Sequence, residues 1–366
     1  MAKSKTQEEE MMSATVGEVE LILDQVVAKN QQEHTVSTLY MEGKAGIGKS
    51  QIVRKIATKY GAEICDIRLG ENADPSDMLM KLPNLEQTDV VQIVLKSLPR
   101  KENSILFLDE IRHASEDLRH LAFQLCLDHR LGNDYHVPPG TTIVAASNPT
   151  DETSTEELDS PLFDRFKYRI HVHENFNEWA EFIENKGYPF GSVVTSYLKN
   201  NKDSFHVKPE HGRIQMTPRR WEWVIQDMPN LKMIEAQMNP GLFITFSQFV
   251  KKVEMFKNVD DYIEGKKACP KDVGDQWAIH AAIISRITND TKSYEDKCFA
   301  VFEERFVGMD TDIQASTMLS TLKTYLGRKK MSLPDLVMKI PANRKTVLTK
   351  VVSKYNYVAA GVMQTA

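Results

Sequence analysis

The chain has 366 residues, enough for two or three domains with a sizeable core. Its 46 basic and 51 acidic residues give a formal net charge of −5, which excludes a globally basic nucleic-acid binder but leaves room for a local basic patch. No apolar run approaches the roughly 18 residues of a membrane-spanning helix, and residues 1–10 lack the apolar centre of a signal peptide. That charged start reads as a disordered lead-in to a cytoplasmic protein.

Residues 13–33 read as a helix, with Val19, Leu21, Ile22, Leu23, Val26 and Val27 apolar. Thr38-Leu39-Tyr40-Met41-Glu42 follows as a short strand and leads into Gly43-Lys44-Ala45-Gly46-Ile47-Gly48-Lys49-Ser50. This octad fits G-x-x-x-x-G-K-[ST] at every fixed position. Ile52, Val53, Ile56, Ala57 and Tyr60 then mark one face of a helix that Gly61 can end. A strand that turns through glycines into a helix aims backbone N–H groups and the positive helix end at one point, which suits a nucleotide's phosphates. Lys49 would reach the β/γ-phosphates of ATP, and the Ser50 hydroxyl would hold Mg²⁺.

Ile64–Leu69 reads as a second strand. The polar stretch 70–84, with Asp74-Pro75-Ser76-Asp77 and Pro83, is an expected excursion from the sheet, and a helix is expected near 87–98. Ile105-Leu106-Phe107-Leu108-Asp109-Glu110 is an apolar strand ending in two acids, and a helix with Glu116 and Asp117 in its first turn starts from Ser115. A turn or small hairpin is expected in 130–140, a fourth strand at Thr141–Ser147, a helix near 155–164 and a fifth strand at about 167–172. Strands alternating with helices over residues 1–172 predict a mainly parallel sheet with covered faces. Beyond His173 the pattern is helical, with segments at 190–200, 217–228, 242–257, 276–287, 293–307, 312–326 and 341–357. Gly265–Pro270 is the best linker, so three regions are expected: 1–172, 173–264 and 265–366. Cys65, Cys126, Cys269 and Cys298 form no C-x-x-C pair and read as buried reduced thiols.

Five positions carry chemistry beyond the octad. Asp109 stands where a P-loop enzyme uses an aspartate to help hold Mg²⁺, and Glu110 is placed to polarise an attacking water. Asn148 ends the next strand, where its amide suits a γ-phosphate or a water, although Asn-Pro is also a strong turn signal. Arg165 falls at a helix C-terminus, a place that favours cations in any case. Thr217-Pro218-Arg219-Arg220 opens a helix. Two arginines there oppose the helix dipole, which points to an anionic partner such as ATP for at least one of them.

The octad, Leu108-Asp109-Glu110-Ile111, Ala145-Ala146-Ser147-Asn148-Pro149, Asp164-Arg165-Phe166 and Thr217-Pro218-Arg219 together, in this order and spacing, resemble an AAA+ ATPase, and within that superfamily its MoxR-like branch. The branch also carries an acidic, proline-containing excursion after the second strand. The resemblance covers about residues 15–230. Val16-Gly17 is a weak counterpart of the adenine-side segment, and Arg112 departs from the Asp-Glu-Ile-Asn-Arg that the branch often shows.

The resemblance implies a P-loop α/β core with a parallel five-stranded sheet covered by helices, then an all-helical lid and a C-terminal helical region. It implies that Gly43 through Ser50 wrap ATP, that Ser50 and Asp109 hold Mg²⁺, and that Glu110 activates water. Asn148 would be sensor 1, Arg165 an arginine finger acting on a neighbouring subunit, and Arg219, or less simply Arg220, sensor 2. A finger supplied in trans implies a homo-oligomeric ring, expected as a hexamer. Members of the branch work on protein partners as chaperone-like assembly factors, commonly with von Willebrand factor A domain proteins, and residues 70–84 and 130–138 are candidate pore loops. Two other readings compete: a helicase-like nucleic-acid motor using Lys199-Asn200-Asn201-Lys202 and Arg328-Lys329-Lys330, and a slowly hydrolysing, nucleotide-switched scaffold. The basic clusters read more simply as solvated helix ends.

Overall fold

A computed structural model of the chain describes residues 11–70, 75–83, 90–94, 96–149, 163–207, 214–256, 258–290 and 292–354. The chain divides into two compact units, with the boundary between Asn175 and Phe176.

The first unit is built on a parallel sheet. In chain order its strands are β1 (Met12–Thr15), β2 (Ser37–Gly43), β3 (Ile64–Arg68), β6 (Ile105–Asp109), β9 (Thr142–Ser147) and β10 (Tyr168–His173), while β4 (Leu79–Pro83) pairs with β5 (Val90–Val94) and β7 (Arg130–Leu131) with β8 (Tyr135–His136) in two small antiparallel hairpins. The order across the main sheet is β1-β10-β2-β9-β6-β3, and every neighbouring pair is parallel. The five expected strands are all there. A sixth, four-residue edge strand lies along β10, and it takes residues 13–15 from the helix expected over 13–33, which starts only at Val16.

The central strands β2 and β9 are buried along their whole length, as a sheet covered on both faces requires. Alternation sorts their side chains. Leu39 and Met41 join Phe107 and Val144 beneath α1 (Val16–Glu33) and α2 (Lys49–Tyr60), which contribute Val19, Leu23, Val27, Ile52, Val53 and Ile56. Tyr40 points to the other face with Leu106, Leu108 and Ala145, covered by Leu118, Ala122 and Phe123 of α3 (Glu116–Asp128). Thr15 starts α1 with a capping box: its hydroxyl accepts from Glu18 N, and the Glu18 carboxylate accepts from Thr15 N.

One expected helix is a strand. Residues 90–94, read as part of a helix over 87–98, pair antiparallel with Leu79–Pro83. The segment is Val-Val-Gln-Ile-Val, whose β-branched residues lose χ1 freedom in a helix and suit a pleated surface. Its partner strand belongs to the stretch expected to leave the sheet, and it does lie outside the main sheet. The hairpin expected in 130–140 is formed by β7 and β8, with Gly132 at φ 63° in its turn. Most of the helix expected near 155–164 lies outside the described residues.

The second unit is helical in its described residues apart from the isolated bridge between Val207 and Met216. Its helices are α4 (Phe176–Lys186), α5 (Gly191–Asn200), α6 (Pro218–Asp227), α7 (Leu231–Glu235), α8 (Pro240–Met255), α9 (Asp260–Ile263), α10 (Val273–Asn289), α11 (Tyr294–Phe302), α12 (Thr311–Lys329), α13 (Leu333–Lys339) and α14 (Ala342–Lys354). Helix α10 buries two faces. Ala278 and Ala281 pack with Tyr197, Trp221 and Phe246, whereas Ile279, Ile283 and Ile287 pack with Phe302, Leu322 and Tyr325. Gly265–Pro270 lies within this unit, where Cys269 N donates to Val307 O. All four cysteines are buried and unbonded, and burial pushes the Cys126 and Cys298 thiols up to about 12. No helix among the described residues is long and apolar enough to cross a membrane.

Candidate functional site

In a parallel sheet all carboxyl ends lie on one edge, and ligands of such sheets collect where the strand order reverses. After β2 the chain crosses to the far strand β3, returns through β6 and β9, and then passes to β10 on the other side of β2. The loops after β2, β6 and β9 therefore converge. They carry the Gly43–Ser50 octad, Asp109-Glu110 and Asn148.

The octad leaves β2 at Gly43 and enters α2 at Lys49. Gly48 takes φ 112° at the N-cap, a conformation open to glycine at little cost, and no side chain caps the helix. Val16, at the start of α1, approaches this turn: a Cβ on Gly48 would lie 3.8 Å from Val16 Cγ1. Ile47 is buried in the core beneath, and Lys44 forms a 2.6 Å ion pair with Glu174.

Lys49 is almost fully buried, and its ammonium donates to the carbonyls of Gly43 and Lys44 (2.9 Å to the latter) and to Asn148 Oδ1 at 3.0 Å. Three oxygens thus surround one buried cation. Ser50 Oγ donates to Asp109 Oδ2 at 3.2 Å. A hydroxyl beside a carboxylate is an oxygen-only donor pair. It suits Mg²⁺, which takes few protein ligands and completes its shell with phosphate and water. The buried ammonium, the uncapped helix and this pair together fit a nucleoside triphosphate with its metal ion.

Glu110 sits in the left-handed region, φ 57°, one residue beyond β6. Its N–H donates to Asp109 Oδ1 (3.0 Å) and its carbonyl accepts from His113 N (2.9 Å). Gly70 leaves room for its side chain: a Cβ there would lie 3.0 Å from Glu110 Oε2. Non-glycine residues seldom hold such a backbone; His34, His129 and Lys330 do so as helix C-caps, whereas Glu110 does so at a strand end beside the octad.

Arg165 lies in the turn Phe163–Phe166 rather than inside a described helix. It is half-buried, its guanidinium 6.0 Å from the Phe123 ring, and its carbonyl accepts from Thr38 Oγ at 3.2 Å. Among the described residues, no hydrogen bond or ion pair joins its side chain to Lys49, Ser50, Asp109 or Glu110. Arg219 belongs to the second unit. It is exposed in the first turn of α6, behind the Thr217 N-cap and Pro218, whereas Arg220 stacks over Trp223 at 5.4 Å.

Sequence reasoning missed a buried group behind the pocket. Glu42 pairs with Arg112 at 2.7 Å, each side chain 3% exposed. Tyr40 Oη donates to Glu42 Oε2 (3.1 Å) and lies 2.6 Å from Ser147 Oγ. Burial pushes the Tyr40 phenol well above its usual range, Glu42 adding to that shift and Arg112 opposing it. The available signal was a glutamate at the end of an apolar, fully buried strand, since a buried carboxylate calls for a cation.

Three cations of the basic clusters are engaged within their own unit, while Lys202 and Lys330 are exposed. Lys199 donates to Ser316 Oγ and lies 5.3 Å from the Trp277 ring centroid. Arg328 donates to the carbonyls of Thr288 and Asp290, and Lys329 pairs with Glu295.

A family model described as the MoxR domain in the MoxR-vWA-beta-propeller ternary systems matches residues 3–196. Midasin of Dictyostelium discoideum is 25% identical over 207 residues, covering 52% of this chain and 3% of midasin, so the chain spans a small fraction of that relative. Among solved structures the chain is similar to the Thermotoga maritima RuvB Holliday junction branch migration motor, at 17% identity over 70% of this chain and 78% of that one, with a TM-score of 0.41. It is also similar to a putative ATPase from Cytophaga hutchinsonii, at 10% identity over 96% and 93%, with a TM-score of 0.33. Matched over more than half its length, with the octad, Asp109-Glu110 and Asn148 gathered on one sheet edge, the chain belongs to the MoxR domain family of AAA+ ATPases.

Proposed function

We propose that the protein hydrolyses ATP as a ring and uses the cycle to remodel or assemble protein partners. The observation that carries the hydrolytic part is the convergence of Lys49, Asn148, Ser50 and Asp109, with Glu110 beside them, at the carboxyl ends of three adjacent strands. Lys49 and the N–H groups at the start of α2 bind the phosphates. Ser50 and Asp109 hold Mg²⁺, which supplies charge neutralisation on the phosphate oxygens when bound. Glu110 takes the proton of the attacking water, and Asn148 orients that water or the γ-phosphate.

Arg165 completes the pocket of a neighbouring subunit, consistent with its lack of a tie to its own. Arg219 acts from the lid, and the stacking of Arg220 on Trp223 favours this choice. The family's description in systems with a vWA component supports a von Willebrand factor A domain protein as the partner. The internal engagement of Lys199, Arg328 and Lys329 favours protein partners over a nucleic-acid track.

The test is Glu110→Gln together with subunit mixing. Glu110→Gln keeps nucleotide affinity and lowers turnover by about 10²–10⁴-fold, the range of general-base catalysis. Wild-type turnover by this variant would remove Glu110 from its role. Arg165→Ala and Lys49→Ala subunits, each inactive alone, recover part of the activity when mixed. No recovery at any ratio overturns the trans arrangement.

A further inference from the structure

The Glu42–Arg112 pair stands at the junction of every segment the pocket uses. Glu42 immediately precedes Gly43, the first residue of the octad. Arg112 follows Glu110 by two residues and donates from a terminal nitrogen to the carbonyl of Asn148 at 3.4 Å. In the β2–β9 register Glu42 lies opposite Ser147, whose chain neighbour Asn148 receives the bond from Lys49. With the single phenolic proton of Tyr40 placed on Glu42, Ser147 is the donor to Tyr40.

The network also reaches away from the pocket. The Tyr40 ring packs on Phe163 and Phe166, with centroids 5.5 and 5.2 Å away, and these two residues bracket Arg165. Two residues earlier on the same strand, Thr38 Oγ donates to Arg165 O and accepts from Lys167 N at 3.0 Å. Strand β2 thus holds the Arg165 turn at one end and the octad at the other.

A buried ion pair is a poor way to gain stability alone, because desolvation offsets most of the attraction and a well-packed apolar pair often does as well. What such a pair supplies is fixed geometry: the planar guanidinium dictates direction as well as distance. We propose that Glu42 and Arg112 are positioning residues of the phosphate pocket, setting Asn148 against Lys49 and, through Tyr40, tying that pocket to the Arg165 turn. The inference rests on the ATPase reading above and names how its site is held in register.

Three variants probe it: Arg112→Lys keeps the charge and loses the fork, Glu42→Gln keeps the shape, and Tyr40→Phe keeps the ring and loses the hydroxyl. Each is assayed at a fixed interval below its own melting midpoint, so that lost stability does not count as lost function. Arg112→Lys and Glu42→Gln lower kcat about tenfold or more with KM and ADP affinity within about threefold, and Tyr40→Phe does the same more weakly. All three lose the preference for ATPγS over ADP that Asn148→Ala also loses. Combined with Asn148→Ala, Glu42→Gln adds nothing further, as expected of groups acting through one another.

Variants that melt earlier but keep kcat and the ATPγS preference, or losses that multiply with Asn148→Ala, overturn the proposal. Wild-type protein that binds nucleotide without hydrolysing it overturns the hydrolytic reading only, because the ATPγS-to-ADP ratio still decides the positioning role. Binding unaffected by Lys49→Ala overturns both. Wild-type hydrolysis with unchanged Arg112→Lys overturns the positioning role alone.

Discussion

The helical unit and the phosphate pocket of the sheet unit hold their charged groups differently. In the helical unit, cations and anions close on one another: Lys323 meets Glu181 at 3.1 Å and Glu184 at 3.6 Å, Arg344 bridges Glu295 and Asp296, and Lys297 pairs with Asp290. The carboxyl edge of the sheet unit closes Glu42 on Arg112 and Lys44 on Glu174 in the same way, but it sets Lys49 and Asp109 among polar groups of the phosphate pocket. The Lys49 ammonium donates to neutral oxygens of Gly43, Lys44 and Asn148, and Asp109 accepts from the Ser50 hydroxyl and from Glu110 N. A charge held by neutral dipoles stays available to a charged ligand, whereas a paired one does not. The first pattern makes a rigid body and the second makes a site.

The largest effect that could break this contrast is on the helical unit's core. Trp221 is fully buried and packs against Tyr197 and Phe246. Trp221→Ala costs about 3–5 kcal/mol. All four tryptophans (Trp179, Trp221, Trp223 and Trp277) lie in this unit, so intrinsic fluorescence follows its unfolding and a fluorescent ATP analogue follows the sheet unit. The fluorescence transition moves to lower denaturant while the analogue's release midpoint stays within experimental scatter. Equal movement of both would mean that the two units unfold as one.

A smaller effect comes from the helical unit's one fully buried histidine among the described residues. His280 Nδ1 lies 2.9 Å from Thr317 Oγ1, and the ring meets Trp277 at an angle of 87°. Burial, with the nearby Lys199 charge, holds its pKa well below 6.5. The unfolded chain therefore binds a proton that the folded one refuses. The sign follows directly: this stability is present above pH ~6.5 and declines as pH falls toward the folded pKa, by about 1.4 kcal/mol per unit. His280→Gln flattens the fluorescence-detected melting profile between pH 6.5 and 5. An unchanged slope would show that His280 is solvated and charged.

Next in size is a test of the sheet unit's strained glutamate. Gly70→Ala introduces a methyl group 3.0 Å from Glu110 Oε2 and from His113 Cβ. Glu110 must shift, so turnover falls about tenfold, roughly 1.4 kcal/mol in barrier, while nucleotide affinity holds. Unchanged turnover would mean that the carboxylate works from another rotamer.

Much of this site was legible in the sequence because glycines, a lysine and acids at strand ends report local chain geometry. Lys49 and Ser50 needed only the strand–turn–helix pattern, whereas Asp109 and Asn148, 59 and 99 residues from their partners there, were placed beside them by the resemblance. Glu42 and Arg112 did not announce themselves, since their pairing joins the end of β2 to the turn after β6 through the sheet order, which no local period encodes. Residues 90–94 misled for a related reason. A short apolar run fits helix and strand alike, and only pairing with Leu79–Pro83 decides between them. The helical unit was legible as helices, but its two-faced α10 was not, because near-continuous burial erases the stripe that reveals a helix's neighbours.

The smallest expected effect tests the claim that Lys199, Arg328 and Lys329 are already engaged. Lys329 pairs with Glu295 at the end of α12, its side chain 29% exposed and that of Glu295 35%. A half-exposed pair of this kind contributes at most about 1 kcal/mol, so Lys329→Gln lowers the melting midpoint slightly. If the lysine instead faced phosphates, its loss would reduce the slope of log affinity against log salt by about one for any oligonucleotide bound. The engaged lysine leaves that slope unchanged, because breaking its pair with Glu295 would cancel much of what a phosphate contact returned. A reduced slope would move Lys329 to the side of the offered charges and return the nucleic-acid motor to contention.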